Sequence, residues 1–331
     1  MAVGFRSFLR VEPGQELLGA AIEQLGRWLA SKEIHLEAGR PGQYVLDHDD
    51  IVTILRDHRA DGQLYLWRRQ HPDAQPRDVW RTSITVLERP DAPGWIWTEI
   101  ETRDDCAVLG DAPYNRCMSV PSVLRGLLTR LSATDGRTET APTPQWATTG
   151  HLPDLMDYLA DETRRGPVYM VSQGSVPREE FERWATEVTW HLVGLGTVFL
   201  LDNTVEEEFN EMVGSTHYLP RGTMRTYLAG VDLDDPEDPL RHKILGRTRI
   251  LTTETRRLAR MLGRAERDRA ARHPVPEDAR RVVREYESAP ASWEEQQRLV
   301  AELQAENERL REALSARPRL HVARQEELTA S

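Results

Sequence analysis

A short heptad repeat near the C-terminal end limits what this chain can build more than any other stretch. From Trp293 to Leu314 apolar residues recur every three and four positions, with Val300, Leu303, Leu310 and Leu314 on one stripe and Asn307 among them. Val300, Asn307 and Leu314 take a positions, and Leu303 and Leu310 take d. Valine at a, leucine at d and one asparagine at a favour two parallel helices in register, because facing amides satisfy each other. The pattern predicts a coiled coil over residues 291–316, then a disordered tail over 317–331. Such a rod makes a homodimer or recruits a partner helix. Three heptads are marginal alone, so the globular part is expected to contribute to association.

A chain of 331 residues has room for two domains besides that rod. Its apolar fraction of 39% and charged fraction of 29% are those of an ordinary soluble protein. Met1 to Arg10 lacks the apolar run of a signal peptide. The longest apolar stretch, Val188 to Leu201, is too short to cross a bilayer. Cys106 and Cys117 are too few for a zinc site or a disulfide framework. A cytoplasmic protein without membrane contact is expected. The tryptophans sit mostly within apolar patterns and read as core.

Patterning divides the chain further. Residues 1–135 read as an α+β domain: an amphipathic helix over Gln15–Lys32, then strands over Gln63–Arg69, Trp80–Glu88 and Trp95–Glu101 in an antiparallel meander. A helix over Pro121–Leu131 closes it, and Ala133–Pro144 reads as a linker. Residues 145–250 alternate strand and helix, which predicts a small three-layer α/β domain with parallel strands. Its strands are Pro167–Val171, Thr197–Leu201 and Thr223–Leu228, and Thr204-x-x-Glu207 reads as a capping box before the third helix. Residues 251–289 form a basic helical segment. Arg241 to Arg284 holds fourteen Lys or Arg against five Asp or Glu, although the whole chain carries a net charge of −11. Arg256, Arg260, Arg264 and Arg267 share one side of a helix over Thr253–Arg272, a pattern that suits a nucleic-acid backbone or an intramolecular dock. Pro274, Pro276 and Pro290 break the path to the heptads, which excludes a continuous basic-zipper helix.

Ligands of an open parallel sheet sit at the carboxyl ends of its strands. Here those ends carry Ser172, Gln173 and Ser175, then Asp202 and Asn203, then Asp232. Backbone donors near Ser175 suit a phosphate or carboxylate, and Asp202 with Asp232 would hold Mg2+ if their strands are neighbours. The same residue types end strands and cap helices in any α/β protein. No phosphate loop, dinucleotide fingerprint or nucleophile elbow is present. His48-Asp49-Asp50 lacks an ordered set of partners and reads as a surface loop. The five carboxylates of Asp232 to Asp238 lack calcium-loop spacing and read as a solvated turn. Arg221, Arg225 and His242 are further anion-binding candidates. No cofactor is implied, apart from Mg2+ in an enzymatic reading.

Two stretches, Leu192-Val-Gly-Leu-Gly-Thr-Val-Phe-Leu-Leu-Asp202 and Arg221-Gly-Thr-Met-Arg-Thr-Tyr-Leu-Ala-Gly-Val-Asp232, resemble multidomain proteins of actinobacterial type in which an α/β domain precedes a coiled coil. Some of those are linked to bacterial defence or conflict systems. The resemblance carries over no catalytic residue; it implies an adaptor role. The expectation is a non-catalytic adaptor or scaffold acting through its coiled coil. Two alternatives stand beside it: a nucleotide- or metal-dependent enzyme or sensor at the strand ends, and a nucleic-acid-binding protein using residues 253–272.

Overall fold

The computed structural model describes residues 2–47, 50–72, 79–103, 119–287 and 309. Val300, Leu303, Asn307, Leu310 and Leu314, and the tail beyond them, lie outside the described residues. The chain divides into two compact units, Met1–Pro274 and Val275–Ser331. The first holds two sheets.

The larger sheet is built from β1 (Ala2–Val11), β2 (Gly42–Asp47), β3 (Asp50–Arg59), β4 (Gly62–Pro72), β5 (Val79–Glu88), β6 (Gly94–Arg103), β7 (Ala133–Asp135) and β8 (Thr138–Thr140). Its order is β2-β3-β4-β5-β6-β1-β7-β8, antiparallel throughout. Period-two alternation puts Val52, Ile54, Tyr65, Trp67, Ile84 and Val86 in one core. That core is covered by α1 (Leu17–Ser31), through Leu17, Leu25 and Leu29, and by α2 (Ser122–Leu128). The expected helix and meander are therefore present, and the sheet is larger than the meander alone. Residues 133–140, expected as part of a linker, are its last two strands. The buried Asp135 explains why they stay put: its carboxylate accepts the N–H groups of Arg165 at 2.8 Å and Gly166 at 2.6 Å.

The second sheet has the order β13-β12-β10-β11-β9. Its strands are β9 (Gln145–Trp146), β10 (Val168–Ser172), β11 (Thr197–Leu201), β12 (Met224–Tyr227) and β13 (Ile244–Leu245). Both central strands, β10 and β11, are buried along their whole length, as strands covered on two faces must be. On one face Val168, Met170, Phe199 and Leu201 pack with α3 (Leu152–Ala160) and α5 (Asn203–His217). On the other, Tyr169, Val171, Val198 and Leu200 pack with α4 (Arg178–Trp190). Helices thus flank this sheet on both sides.

The expected all-parallel pairing requires a correction. β9, β11 and β10 are parallel, but β12 runs antiparallel to β10, and β13 to β12. The cause is Gly214, whose φ of 69° and ψ of −176° break α5 before its last turn. The chain then doubles back along its own helix, where the Asn210 side chain clamps Leu219, donating to its carbonyl at 2.9 Å and accepting its N–H at 2.7 Å. β12 therefore starts beside Ser172, at the end of β10 where α5 began. The helix cap also differs from expectation: Asp202, not Thr204, caps α5, accepting the N–H groups of Thr204 and Val205.

The sheets meet where the loop before β11 enters the first core through Val193 and Leu195. The Ser7 hydroxyl donates to Gly194 O at 2.7 Å. A Cβ on Gly194 would come within 2.7 Å of Leu124 and Ser7, so only glycine permits this approach. After β13 come α6 (Arg247–Thr252) and α7 (Thr255–Arg272). α7 buries Leu258, Ala259 and Glu266, and Glu266 accepts the Tyr169 hydroxyl at 2.5 Å. The described helix of the second unit is α8 (Glu277–Glu287).

Candidate functional site

The carboxyl end of β10 opens into a crevice. β10 stops at Ser172, the loop through Gln173 and Ser175 turns away, and α4 begins after Pro177. α6 and the start of α7 cross over the opening, leaving a cavity of about 150 Å³. Its walls are apolar: Val171, Val176, Phe181, Trp184, Ile250 and Leu251. Phe181 and Trp184 lie nearly parallel, at 8°, with centroids 6.2 Å apart. The Trp184 indole N–H is buried without an acceptor, a condition that costs about 1–3 kcal/mol. Two charged side chains, Glu180 and Arg247, complete the lining.

The polar groups at the base are tied to the frame. Ser172 is buried; its hydroxyl accepts the Gly222 N–H at 2.7 Å and donates to the buried Glu206 carboxylate. With its proton committed to a carboxylate that also lies under Arg221 at 3.8 Å, this serine is a bolt between β10, α5 and the start of β12. Gln173 donates to Val176 O at 2.9 Å, and Arg247 donates to the Ser175 hydroxyl at 2.8 Å. The polar side chains of the floor are thus hydrogen-bonded within the fold, and the unpartnered groups belong to the wall and the rim.

Sequence reasoning pointed to Ser172, Gln173 and Ser175, and all three line this crevice. Asn203 lies outside its lining, exposed at the start of α5. Asp202 and Asp232 are not brought together. Register pairs Ser172 with Leu201 but Val168 with Tyr227, so Asp202 follows one edge of the sheet and Asp232 the other. Four residues of strand, about 13 Å, separate those edges. Asp202 spends its carboxylate on the α5 cap, and Asp232 on a turn, accepting Asp234 N–H at 3.0 Å. A Mg2+ shared between them is excluded by the antiparallel β12. On α7, Arg256, Arg260 and Arg264 are exposed while Arg267 is buried; Arg256 lies 3.7 Å from Glu187. Asp50 forms an ion pair with Arg69 at 2.6 Å, whereas His48 and Asp49 lie outside the described residues.

A second polar cluster escaped sequence reasoning. His217, Asp238 and His242 are buried together at the opposite end of the strands. Asp238 Oδ2 lies 2.9 Å from His217 Nε2 and 2.7 Å from His242 Nε2; Oδ1 accepts from Arg241 at 2.7 Å. The carboxylate also accepts the Asp232 N–H at 3.2 Å. Burial would raise the Asp238 pKa, but the hydrogen bonds from His217, His242 and Asp232 outweigh it and bring the group to about 2. Burial holds His242 below the ordinary imidazole value. The run Asp232 to Asp238, expected as a solvated turn, thus ends in a buried acceptor. Arg225 and His242 do not converge on an anion site. Arg225 donates to the carbonyls of Tyr218 and Thr216, and Arg221 pairs with Glu207.

Two histidines and an aspartate invite a metal, and the geometry answers the question. Leu228 N–H donates to His242 Nδ1 at 3.1 Å, so that nitrogen carries the lone pair and the proton sits on Nε2. An imidazole binding metal through Nε2 needs its proton on Nδ1, which here would face another N–H. Separations of 2.7 and 2.9 Å are hydrogen-bond lengths; ligands on a tetrahedral zinc sit about 3.3 Å apart. The trio does not fit a metal. It is a hydrogen-bonded knot joining the end of α5 to the loop after β12.

Comparison with protein-family models, with characterised proteins and with solved structures returns no match. No helix among the described residues is long and apolar enough to cross a membrane.

Proposed function

We propose that this protein is a non-catalytic interaction protein whose α/β part reads a small molecule in the crevice above β10. The heptad segment around Asn307 then joins two copies or recruits a partner. The observation that carries the reading is the crevice itself: a strand-end cavity with an apolar wall, a charged rim and a floor whose hydroxyl is already committed to Glu206. Ser172 is buried and its oxygen already accepts the Gly222 N–H, an arrangement that suits holding shape and recognising. The resemblance of Leu192–Asp202 and Arg221–Asp232 to actinobacterial proteins suggests bacterial defence as a setting.

Thermal denaturation of the full chain against nucleotides, organic acids and amino acids tests the first half. A ligand at a hundred times its Kd adds about 2.7 kcal/mol of stability, and Trp184→Ala should abolish the shift. No shift with any compound removes the crevice reading. For the second half, light scattering should find a dimer that Asn307→Leu changes in order and truncation at Pro290 reduces to monomer. A monomer at tens of micromolar, in both forms, removes self-association.

A second reading, nucleic-acid binding, is favoured by the exposure of Arg256, Arg260 and Arg264 on one helix. It requires retention on DNA that falls steeply with salt and that Arg260→Glu with Arg264→Glu abolishes.

A further inference from the structure

The crevice carries a more specific message, which rests on the binding reading above. Glu180 and Arg247 line the same cavity with opposite charges. Among the described residues neither forms an ion pair, with the other or with any third group; Arg247 donates only to the neutral Ser175 hydroxyl. Glu180 lies in the first turn of α4. Arginine is charged at any relevant pH. Opposite charges on one rim that do not bridge each other leave a gap matched by a molecule carrying both signs.

Behind that rim the wall is apolar and aromatic, with Phe181 and Trp184 stacked and Ile250 and Leu251 opposing them on a different helix. A cavity of about 150 Å³ takes roughly one six-membered ring or a branched aliphatic group. The buried indole N–H of Trp184 adds a donor that lacks an acceptor among the described residues.

We infer that the crevice binds a free apolar α-amino acid. Its carboxylate meets Arg247, its ammonium meets Glu180, and its side chain fills the space beside Phe181 and Trp184. A charge-free apolar ligand would leave both rim groups unused. An apolar acid or an apolar amine would use one and place its other end beside an unmatched charge.

Calorimetric titration of the full chain with L-leucine, L-methionine and L-phenylalanine tests this, alongside N-acetyl-L-phenylalanine and L-phenylalaninamide. A free amino acid should bind, and blocking either end should weaken binding about ten-fold or more, the size of one lost charge-assisted hydrogen bond. The substitutions should cross over. Arg247→Ala weakens the free amino acid but leaves phenylalaninamide at its wild-type affinity. Glu180→Gln does the same for N-acetyl-phenylalanine. A folding defect would not produce that pattern. Equal binding of the acetylated and free forms overturns the zwitterion and leaves the crevice as an acid site. Binding of another compound class, lost in Trp184→Ala while amino acids give no heat, likewise overturns it and leaves the proposed function standing. No response to any compound overturns both.

Discussion

The two polar clusters of the second sheet sit at opposite ends of its strands and have opposite states of satisfaction. In the knot, Asp238 accepts from His217, His242, Arg241 and the Asp232 N–H, and His242 accepts in turn from Leu228. Every strong group has its partner within the chain. In the crevice, the Trp184 N–H has none, and the Glu180 and Arg247 charges meet no opposite charge among the described residues. Histidine and aspartate together are the commoner signature of chemistry, but here they are the structural pair. What separates the two regions is whether the fold already supplies the partners.

If that distinction holds, the knot is where stability is lost. Asp238→Ala strands two buried imidazole N–H groups, while the half-exposed Arg241 keeps its bonds to the Ala229 and Gly230 carbonyls, and it should cost about 3 kcal/mol in urea unfolding. A loss under 1 kcal/mol would mean the cluster is not a fastening. The acid response follows from the same groups. His242 has a lowered folded pKa, so its contribution is complete above the unfolded imidazole value of about 6.5 and declines as pH falls below it. Protonation there puts an N–H against the Leu228 N–H. Asp238 adds a second step, about 2 kcal/mol, lost as pH falls from the unfolded carboxylate value through about 2. Unfolding free energy measured from pH 8 to pH 3 should therefore bend first near neutrality. His191 and His273, which burial also holds below the ordinary value, share that bend, so His242→Gln should reduce it, and an unchanged profile in the variant would assign the bend to them.

How much of this was legible in the sequence depended on distance along the chain. The helix over Gln15–Lys32 and the strands β4 to β6 carry their periodicity locally, and hairpin neighbours pair in order. β1 went unread because its partners are remote: it pairs with β6, Phe8 opposite Trp97, and its alternation is interrupted by Arg6 and Ser7. Arg6 belongs in the sheet because Glu99 meets it at 3.0 Å and the carbonyls of Ala271 and His273 accept from it. Residues 133–140 carry linker-like composition, and the Asp135 bonds that hold them are tertiary. At the crevice, Ser172, Gln173 and Ser175 followed from locating one strand end. Arg247, Phe181 and Trp184 did not, since nothing local says that α6 folds over α4. Asp238 was hidden in an acidic run whose other members are exposed. The heptads, the clearest local signal of all, lie outside the described residues.

The direction of β12 decides which end of the strands each cluster occupies, and it hangs on one residue. Gly214 sits at φ 69° with open space where a Cβ would be. Gly214→Ala therefore meets no neighbour and reports backbone strain alone, about 1–3 kcal/mol in this essentially glycine-only region. A much larger loss would show that the reversal tolerates no adjustment at Asn210; no loss would mean the positive-φ kink is not needed to bring β12 in antiparallel.

The smallest expected effects are in the crevice, and they sharpen the contrast most. Trp184→Phe deletes an N–H that has no acceptor while keeping the aromatic wall against Phe181. Arg247→Ala removes an exposed side chain whose bond is to a surface hydroxyl. Arg247→Ala should change unfolding free energy by no more than about 0.5 kcal/mol, and Trp184→Phe should come out near neutral or stabilising, because losing an unsatisfied buried donor offsets the lost ring contacts. Urea midpoints of the two variants beside Asp238→Ala make the measurement. A site kept for binding tolerates these changes because its missing partners were never supplied by the fold. If Arg247→Ala destabilises as much as Asp238→Ala, the rim charge is holding the protein together, and the crevice is a second fastening, not a receptor.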